Sequence, residues 1–375
     1  MGQSMPKRWI TASLAGALLL GNIPADWNLI RASAASEQAY ATTVLELQQE
    51  VAEGLKARNT SMTIKYKGPT RNLQSLLKKA IEGALDSDPY TKYIVDRYTY
   101  SWRGTSGAAK IILSVGYRET AGQSAYVDQR AVAILQDIVR PEMNDHQKVK
   151  AIHDYVVQHL QYDKELEKYT AYEGLRSGEA VCQGYTLLAY KLLEKAGIAN
   201  LIVEGTAGSR LHAWNLVKLD NRWYHLDTTW DDPLSPSGQQ PSYKYYLLTD
   251  SQIRRDHNWK NKYPAASTLY RESLNVLASG GGAEAAEYET LKRQLGFQLY
   301  DQDAAVGTAS ELQNQVKREL ESGGLTVTVR YAGTERRLVQ DLGSLYDLSL
   351  ANVRYLSEPL EGTDDLRVEI HWENR

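Results

Sequence analysis

The chain has 375 residues, a formal net charge of −3 and a single cysteine. Its apolar fraction of 42% and its charged fraction of 24% are those of ordinary globular proteins, so it can form a proper hydrophobic core. The length predicts two or three domains. A small negative charge without any run of basic residues argues against nucleic acid as a main partner.

Residues 1–34 have the pattern of a secretory signal peptide. Lys7 and Arg8 precede an apolar segment at 10–23, which is too short for a comfortable membrane span, and the Ala-Ser-Ala sequence at 32–34 resembles a cleavage site. We therefore expect export, cleavage near Ala35, a secreted or cell-surface location, and no stable membrane span once the leader is removed. An uncleaved N-terminal anchor is the alternative.

Residues 36–125 predict a small α/β module. Helix and strand patterns alternate in the order α-β-α-β-β, at residues 45–55, 62–67, 73–84, 93–102 and 110–117. Residues 47–68 align without gaps on residues 312–333, with every position shifted by 265. This alignment predicts a second copy of the module at 309–375.

Residues 126–268 predict a central domain in which helices come before strands. Two helix faces, at 127–138 and 149–160, precede strand-like segments that begin at residue 201. After Pro264 the hydrophobic pattern weakens, and a glycine-rich stretch at 279–282 is typical of a loop. We therefore expect a linker at 269–308, between the central domain and the second module.

Cys182 stands at the start of a predicted helix. The apolar residues Tyr185, Leu188 and Leu192 recur at helical spacing after it, and Gly197 is a typical residue just past a helix end. In the first helical turn, unpaired N–H groups and the positive end of the helix dipole favour a thiolate over a thiol. Cys182 is therefore a candidate nucleophile.

A predicted β-hairpin brings His212 close to Asp227. The Asp220-Asn221 pair suits a two-residue turn, and that turn sets a register in which Asp227 lies opposite Trp214. Because side chains alternate along a strand, His212 and Asp227 then share a face as diagonal neighbours, about 7–8 Å apart at the backbone. Together with the cysteine, they have the residue types needed for a nucleophile, a base and an orienting carboxylate.

The residues around these three positions resemble a known family. The ordered blocks are GEAVCQGY around Cys182, LHAWNLV around His212 and WYHLDTTWDDP around Asp227. They look like the core of the transglutaminase-like superfamily, in its bacterial secreted branch. Shorter similar segments lie at 148–157, 170–175 and 245–259.

This resemblance implies an α+β fold. The expected core is papain-like, with helices packed on an antiparallel sheet, and here it would be flanked by two copies of the small α/β module. The resemblance also implies a catalytic triad of Cys182, His212 and Asp227 that forms a thioester with its substrate.

Other side chains are candidates for supporting this chemistry. An oxyanion needs hydrogen-bond donors beyond the Cys182 N–H, and Tyr172, Tyr162 and Gln183 could supply them. Transglutaminases use an aromatic donor upstream of the cysteine, which favours Tyr172. The side chains of Trp214 and Trp230 are candidates for lining an acyl channel, although core packing is equally consistent with both.

Neither a cofactor nor a metal ion is expected. The sequence has no HExxH motif, and His153 and His159 are six residues apart, so they do not share a helix face. The expected partner is a peptide or protein substrate, which could be associated with the cell wall. An unpaired cysteine is a liability in an exported protein unless it is used, which favours a catalytic role for Cys182.

Two classes of function remain open at this point. The first is an exported thiol enzyme that acts on amide bonds of cell-surface protein or peptidoglycan peptide, either as a peptidase or amidase with water or as an acyltransferase with an amine. The second is a non-catalytic cell-surface binding protein, in which the two modules bind and a degenerate core is a spacer.

Overall fold

The computed structural model describes residues 40–232 and 241–374. The predicted signal peptide and its cleavage site lie outside these residues. Every helix within the described ranges is too short or too polar to cross a membrane.

The first unit of the structure combines two amphipathic helices with a three-stranded sheet. Its elements are α1 (Val44–Lys56), β1 (Ser61–Lys67), α2 (Leu73–Asp86), α3 (Pro89–Ile94), β2 (Val95–Gly104) and β3 (Ala108–Tyr117). The strands are antiparallel, in the order β1-β3-β2. Leu47 and Val51 of α1 and Leu77 and Ile81 of α2 are buried in one cluster with the sheet. The unit therefore has its own small core.

The strand predicted from residue 93 begins later, at Val95, because residues 89–94 form α3. The Asp88 carboxylate accepts a hydrogen bond from the Thr91 N–H, and Pro89 occupies an early helical position that needs no N–H. The strand prediction was therefore wrong for its first two residues. This short helix matters for the site, because it packs in the central core.

The central region has helices first and an antiparallel sheet afterwards. Its first helices and strands are α4 (Ala121–Ile138), α5 (Asp145–His159), β4 (Gln161–Tyr162), α6 (Ala171–Ser177), β5 (Glu179–Ala180) and α7 (Cys182–Lys195). Then follow β6 (Asn200–Ala207), β7 (Arg210–Leu219), β8 (Arg222–Leu226), α8 (Asp250–Ile253) and β9 (His257–Asn258). The four later strands form an antiparallel sheet in the order β8-β7-β6-β9. This is a mixed helix-and-sheet, α+β arrangement, as expected.

Helix α7 lies at the centre of this region. Its side chains are buried on nearly all sides, between α4, α5 and α6 on one side and the sheet on the other. A helix with so little exposed surface has a well-fixed position. Its first residue, Cys182, is consequently held rigidly relative to the strands.

The prediction of a linker at 269–308 was wrong for most of its length. The segment forms α9 (Tyr270–Ala278), α10 (Gly282–Gln294) and a 3₁₀ turn (Phe297–Tyr300). Tyr270, Leu274 and Leu291 are buried in the same cluster as the central helices. The glycine-rich stretch at 279–282 connects the two helices. The helices α9 and α10 themselves extend the central core.

The last unit contains β10 (Ala305–Val306), α11 (Ala309–Glu321), β11 (Thr326–Tyr331), α12 (Glu335–Leu342), a 3₁₀ turn (Gly343–Leu348), β12 (Leu350–Pro359) and β13 (Leu366–Asn374). Strands β11, β13 and β12 are antiparallel in that order, as β1, β3 and β2 are in the first unit. Tyr66 pairs in parallel with Ala41, and Tyr331 pairs in parallel with Val306. Both pairs are related by the same shift of 265 residues as the sequence alignment.

The first unit is joined to the central region through a buried carboxylate. Glu119 is fully buried and accepts hydrogen bonds from the Tyr90 hydroxyl of α3, the Ser124 hydroxyl of α4 and the Tyr172 N–H of α6. Burial raises the pKa of Glu119, although these hydrogen bonds oppose the rise. Three helices thus meet at one side chain, which fixes α3 next to the start of α7.

Candidate functional site

Cys182 is the first residue of α7. Val181 precedes the helix without a side-chain cap, so the first N–H groups of the helix are not covered by a capping side chain. Gly184 allows close packing here, because a Cβ at that position would lie 2.5 Å from the Ala180 Cβ. Cys182 itself is a free, half-buried thiol. The sequence thus accounts for both the position and the accessibility of the sulfur.

The hairpin that carries His212 has the register predicted from the sequence. Leu219 pairs with Arg222, and Asn215 pairs with Leu226. Asp220 and Asn221 both have positive φ values, 47° and 63°, as a tight turn of the expected kind requires. Strand β8 ends one residue before Asp227, and the register prediction is confirmed.

His212 and Asp227 are in direct contact. The His212 Nε2 atom lies 2.6 Å from Asp227 Oδ2. The other oxygen, Oδ1, accepts hydrogen bonds from the N–H groups of Thr229 and Trp230, at 3.0 and 3.2 Å. The Asp227 side chain is fully buried, so these bonds fix the carboxylate that faces the imidazole.

The electrostatics of this pair favour two charged partners. Burial alone would lower the pKa of His212, but the charge and hydrogen bond of Asp227 and the contact with Cys182 outweigh it and raise the pKa to about 10. Burial likewise favours the neutral acid of Asp227, yet the charge of His212 and the hydrogen bonds of His212 and His257 hold its pKa well below the usual range. At neutral pH the pair is therefore an imidazolium and a carboxylate.

Cys182 also contributes to the electrostatics of His212. Nε2 is occupied by Asp227, and a hydrogen bond with Cys182 contributes to the raised pKa of the imidazole. The nitrogen available to the sulfur is consequently Nδ1. The structure thus brings together all three side chains that the sequence analysis singled out, in the order cysteine, histidine, aspartate.

The three predicted oxyanion donors differ in their surroundings. Gln183 is engaged elsewhere, since its Nε2 donates to the Tyr93 carbonyl at 2.9 Å. The Tyr172 ring packs edge-on against Tyr126 of α4, with 5.5 Å between ring centroids, and its role as the donor stays a prediction. Tyr162 is within electrostatic range of Cys182: burial raises the pKa of its phenol, and the negative charge of Cys182 adds to that rise.

A second phenol within electrostatic range of Cys182, that of Tyr93, was missed by the sequence analysis. Burial raises the pKa of Tyr93 well above its usual value, followed by the charge and hydrogen bond of Glu204 and smaller effects that include Cys182. Tyr93 belongs to α3, in the segment predicted to be a strand of the first module. Nothing in the local sequence pattern indicates that this helix reaches the central site.

The two tryptophans have different environments. Trp214 is only 1% exposed, and its Nε1 donates to His225 Nδ1 at 2.9 Å, within a separate hydrophobic cluster below the sheet. It is therefore a core residue, and its prediction as a channel-lining side chain was wrong. Trp230 is 38% exposed, with its ring centroid 6.2 Å from that of His212. It remains a candidate for contacting an acyl group.

His257 is the other residue that the sequence analysis missed. Its Nε2 lies 3.0 Å from the same Asp227 oxygen that His212 contacts. A signal was present, because His257 falls in the family-like block at 245–259. His212, Asp227 and His257 place possible metal-ligand atoms within 4.8 Å of one another. Because the shared oxygen already accepts bonds from both imidazoles, we interpret the group as a hydrogen-bond network.

Comparison with protein families identifies the central region. Residues 132–228 match the model of the transglutaminase-like superfamily, a stretch that contains Cys182, His212 and Asp227. Among curated proteins, the human kyphoscoliosis peptidase is 24% identical over 217 residues, which are 50% of this chain and 32% of the human protein. Its mouse counterpart is 27% identical over 119 residues, which are 27% of this chain and 18% of the mouse protein. The chain thus spans about a third or less of these relatives' length.

Solved structures overlap with this chain only weakly. A TGase has a TM-score of 0.28 and 15% identity, covering 47% of this chain and 57% of its own. A candidate cysteine protease from Cytophaga hutchinsonii has a TM-score of 0.25 and 12% identity, covering 40% of this chain and 69% of its own. The family match and these relatives support a transglutaminase-like domain at residues 132–228 of this chain.

Proposed function

We propose that this chain is a thiol enzyme that acts on amide bonds through a thioester on Cys182. One observation carries the proposal: the half-buried thiol at the start of α7 contacts an imidazole whose other nitrogen is bonded to a buried carboxylate. The similarity of residues 132–228 to the transglutaminase-like superfamily supports the same chemistry, because that superfamily includes cysteine peptidases and acyltransferases.

The proposed reaction has two halves. The Cys182 thiolate attacks the carbonyl carbon of an amide, the new C–S bond forms, and the C–N bond breaks as His212 donates its Nδ1 proton to the departing amine. His212 is then neutral and removes a proton from water or from a second amine. That nucleophile breaks the C–S bond, which releases an acid or a new amide and restores the thiolate. Asp227 keeps the imidazole oriented and stabilises its charged form.

The negative charge that develops on the carbonyl oxygen needs donors. The backbone N–H of Cys182 lies at the positive end of the α7 dipole, and the Tyr162 phenol is within electrostatic range of Cys182. We propose these two groups for the role, in preference to Tyr172 and Gln183. Trp230 would contact the acyl group.

The substrate that we propose is a peptide or protein at the cell surface, including peptidoglycan peptide. This part of the proposal rests on the predicted signal peptide and on the single cysteine, which has no partner for a disulfide within the chain. We also infer that the outer units are two copies of one module, which their common strand order and constant shift of 265 residues support.

An assay with a glutamine-containing protein and a small primary amine tests the proposed reaction. The purified chain should release ammonia or new peptide amino termini, or attach a fluorescent amine to the protein, and each of these products should be missing with the matched Cys182→Ala variant. Attachment of the amine would identify an acyltransferase, and new termini or ammonia alone would identify a hydrolase. Equal product from both proteins would contradict the proposal.

A further inference from the structure

His257 connects the site to a second carboxylate. Its Nε2 lies 3.0 Å from Asp227 Oδ2, and its Nδ1 lies 2.5 Å from Asp256 Oδ1. Asp256 in turn accepts a hydrogen bond from the Tyr245 hydroxyl, at 2.5 Å. The contacts therefore run without a break from His212 through Asp227, His257 and Asp256 to Tyr245.

The backbone holds His257 in this place. The residue lies on β9, which pairs with the end of β6 through Thr206 and Ala207. This pairing requires a glycine at position 205, since a Cβ there would lie 2.1 Å from the Asn258 carbonyl oxygen. The fold thus brings a short strand unusually close to β6 at the position that aims His257 at Asp227.

The ring of His257 is also enclosed by aromatic side chains. Its centroid is 4.7 Å from that of Trp230, 5.1 Å from Trp214 and 5.4 Å from Tyr245. The side chain is fully buried, so the ring has little freedom to rotate. Both of its nitrogens are therefore held towards their two carboxylates.

We infer that His257 is a positioning residue for the proposed reaction, which fixes the Asp227 oxygen that orients His212. Two Asp227 bonds, to Thr229 and Trp230, hold Oδ1, and only the imidazoles of His212 and His257 contact Oδ2 among the described residues. Without His257, the oxygen that faces His212 would lose its second anchor. The imidazole would then be less well aligned with the Cys182 sulfur.

This inference rests on the proposed function, and iodoacetamide labelling of Cys182 tests it without a known substrate. Four proteins are compared over a range of pH: the wild type, His212→Ala, His257→Phe and His257→Gln. Phenylalanine keeps an aromatic ring in the enclosure but has no donor, whereas glutamine retains a donor near the Nε2 position. Thermal unfolding of each variant checks its fold.

The expected result is a slower reaction of His257→Phe at mildly acidic pH, by about tenfold, which is the lower end of the loss known for removing the hydrogen-bond partner of a metal-ligating histidine. Its pH profile should shift towards that of His212→Ala, and His257→Gln should restore most of the wild-type profile. For any substrate that the amide assay identifies, kcat should likewise be lowered in His257→Phe and mostly restored in His257→Gln, with KM little changed. Slowing by phenylalanine with recovery by glutamine would show that the lost hydrogen bond, and not lost packing, causes the effect.

Other outcomes overturn distinct claims. A normal profile for His257→Phe beside a shifted one for His212→Ala would contradict the role of His257 and leave the proposed function standing. A normal profile for His212→Ala would contradict the proposed function itself. Equal slowing by folded Phe and Gln variants would also overturn the positioning role. If His257→Phe does not fold, Asp256→Ala decides. It removes the Nδ1 anchor of His257 and the acceptor of the Tyr245 hydroxyl, but it keeps the His257 ring. It should shift the profile in the same direction, and an unshifted profile refutes the inference.

Discussion

Replacing Cys182 with alanine should abolish amide turnover while the fold stays intact. The thiolate is the group that forms the thioester, so its removal should lower kcat by roughly 10⁶-fold, the size of loss seen when an enzyme nucleophile is deleted. Little packing is lost, because the thiol is half-buried and alanine is a good helix former at the start of α7. Steady-state assays on the purified proteins measure the loss of turnover, and their thermal unfolding measures whether the fold is intact.

A serine at the same position is the matched control for shape. Cys182→Ser keeps a polar atom near His212 but replaces the thiolate with a much less acidic hydroxyl, so it should also be inactive. Activity of either variant close to the wild-type level would show that another group is the nucleophile.

Replacing Asp227 with asparagine should lower kcat by roughly 10⁴-fold, because the charge that orients and stabilises the His212 imidazolium is lost. The structure adds a second reason. Both Asp227 oxygens face donors: His212 and His257 on Oδ2, and two backbone N–H groups on Oδ1. An asparagine in either orientation turns its own NH₂ group towards one of these pairs.

The same variant should therefore be less stable than the wild type. A buried donor left without an acceptor costs about 1–3 kcal/mol, which denaturant unfolding can measure. Asp137→Asn is a suitable control, since Asp137 is exposed near the end of α4. Near-normal kcat for Asp227→Asn, with the control also unchanged, would mean that Asp227 does not support the histidine.

The sequence predicted the local parts of the site well. Helical spacing after Cys182 predicted the start of α7, since the apolar residues that make the pattern, Tyr185, Leu188 and Leu192, follow it in the same helix. The two-residue turn at Asp220-Asn221 fixed the hairpin register, because it places Leu219 opposite Arg222 and every later pair follows from that one. Interactions between residues that are close in sequence can be predicted from the local sequence pattern.

The contacts made by distant segments could not be predicted in the same way. Tyr93 reaches the site because α3 packs in the central core, and His257 reaches Asp227 because Gly205 permits the pairing of β6 with β9. The linker prediction failed for a related reason. A glycine-rich sequence indicates a break between helices, but it contains no information on whether the helices on either side, α9 and α10, pack against the core.

The pH dependence of Cys182 alkylation in the wild type and in His212→Ala tests the central claim most directly. Because the pKa of His212 is raised to about 10, its imidazolium persists across neutral pH and can stabilise a thiolate beside it. Wild-type alkylation should stay fast well below pH ~8.5, the pKa of a free thiol, and the His212→Ala curve should move up towards that value. Superimposable curves from two folded proteins would contradict any functional link between Cys182 and His212, and with it the proposed reaction.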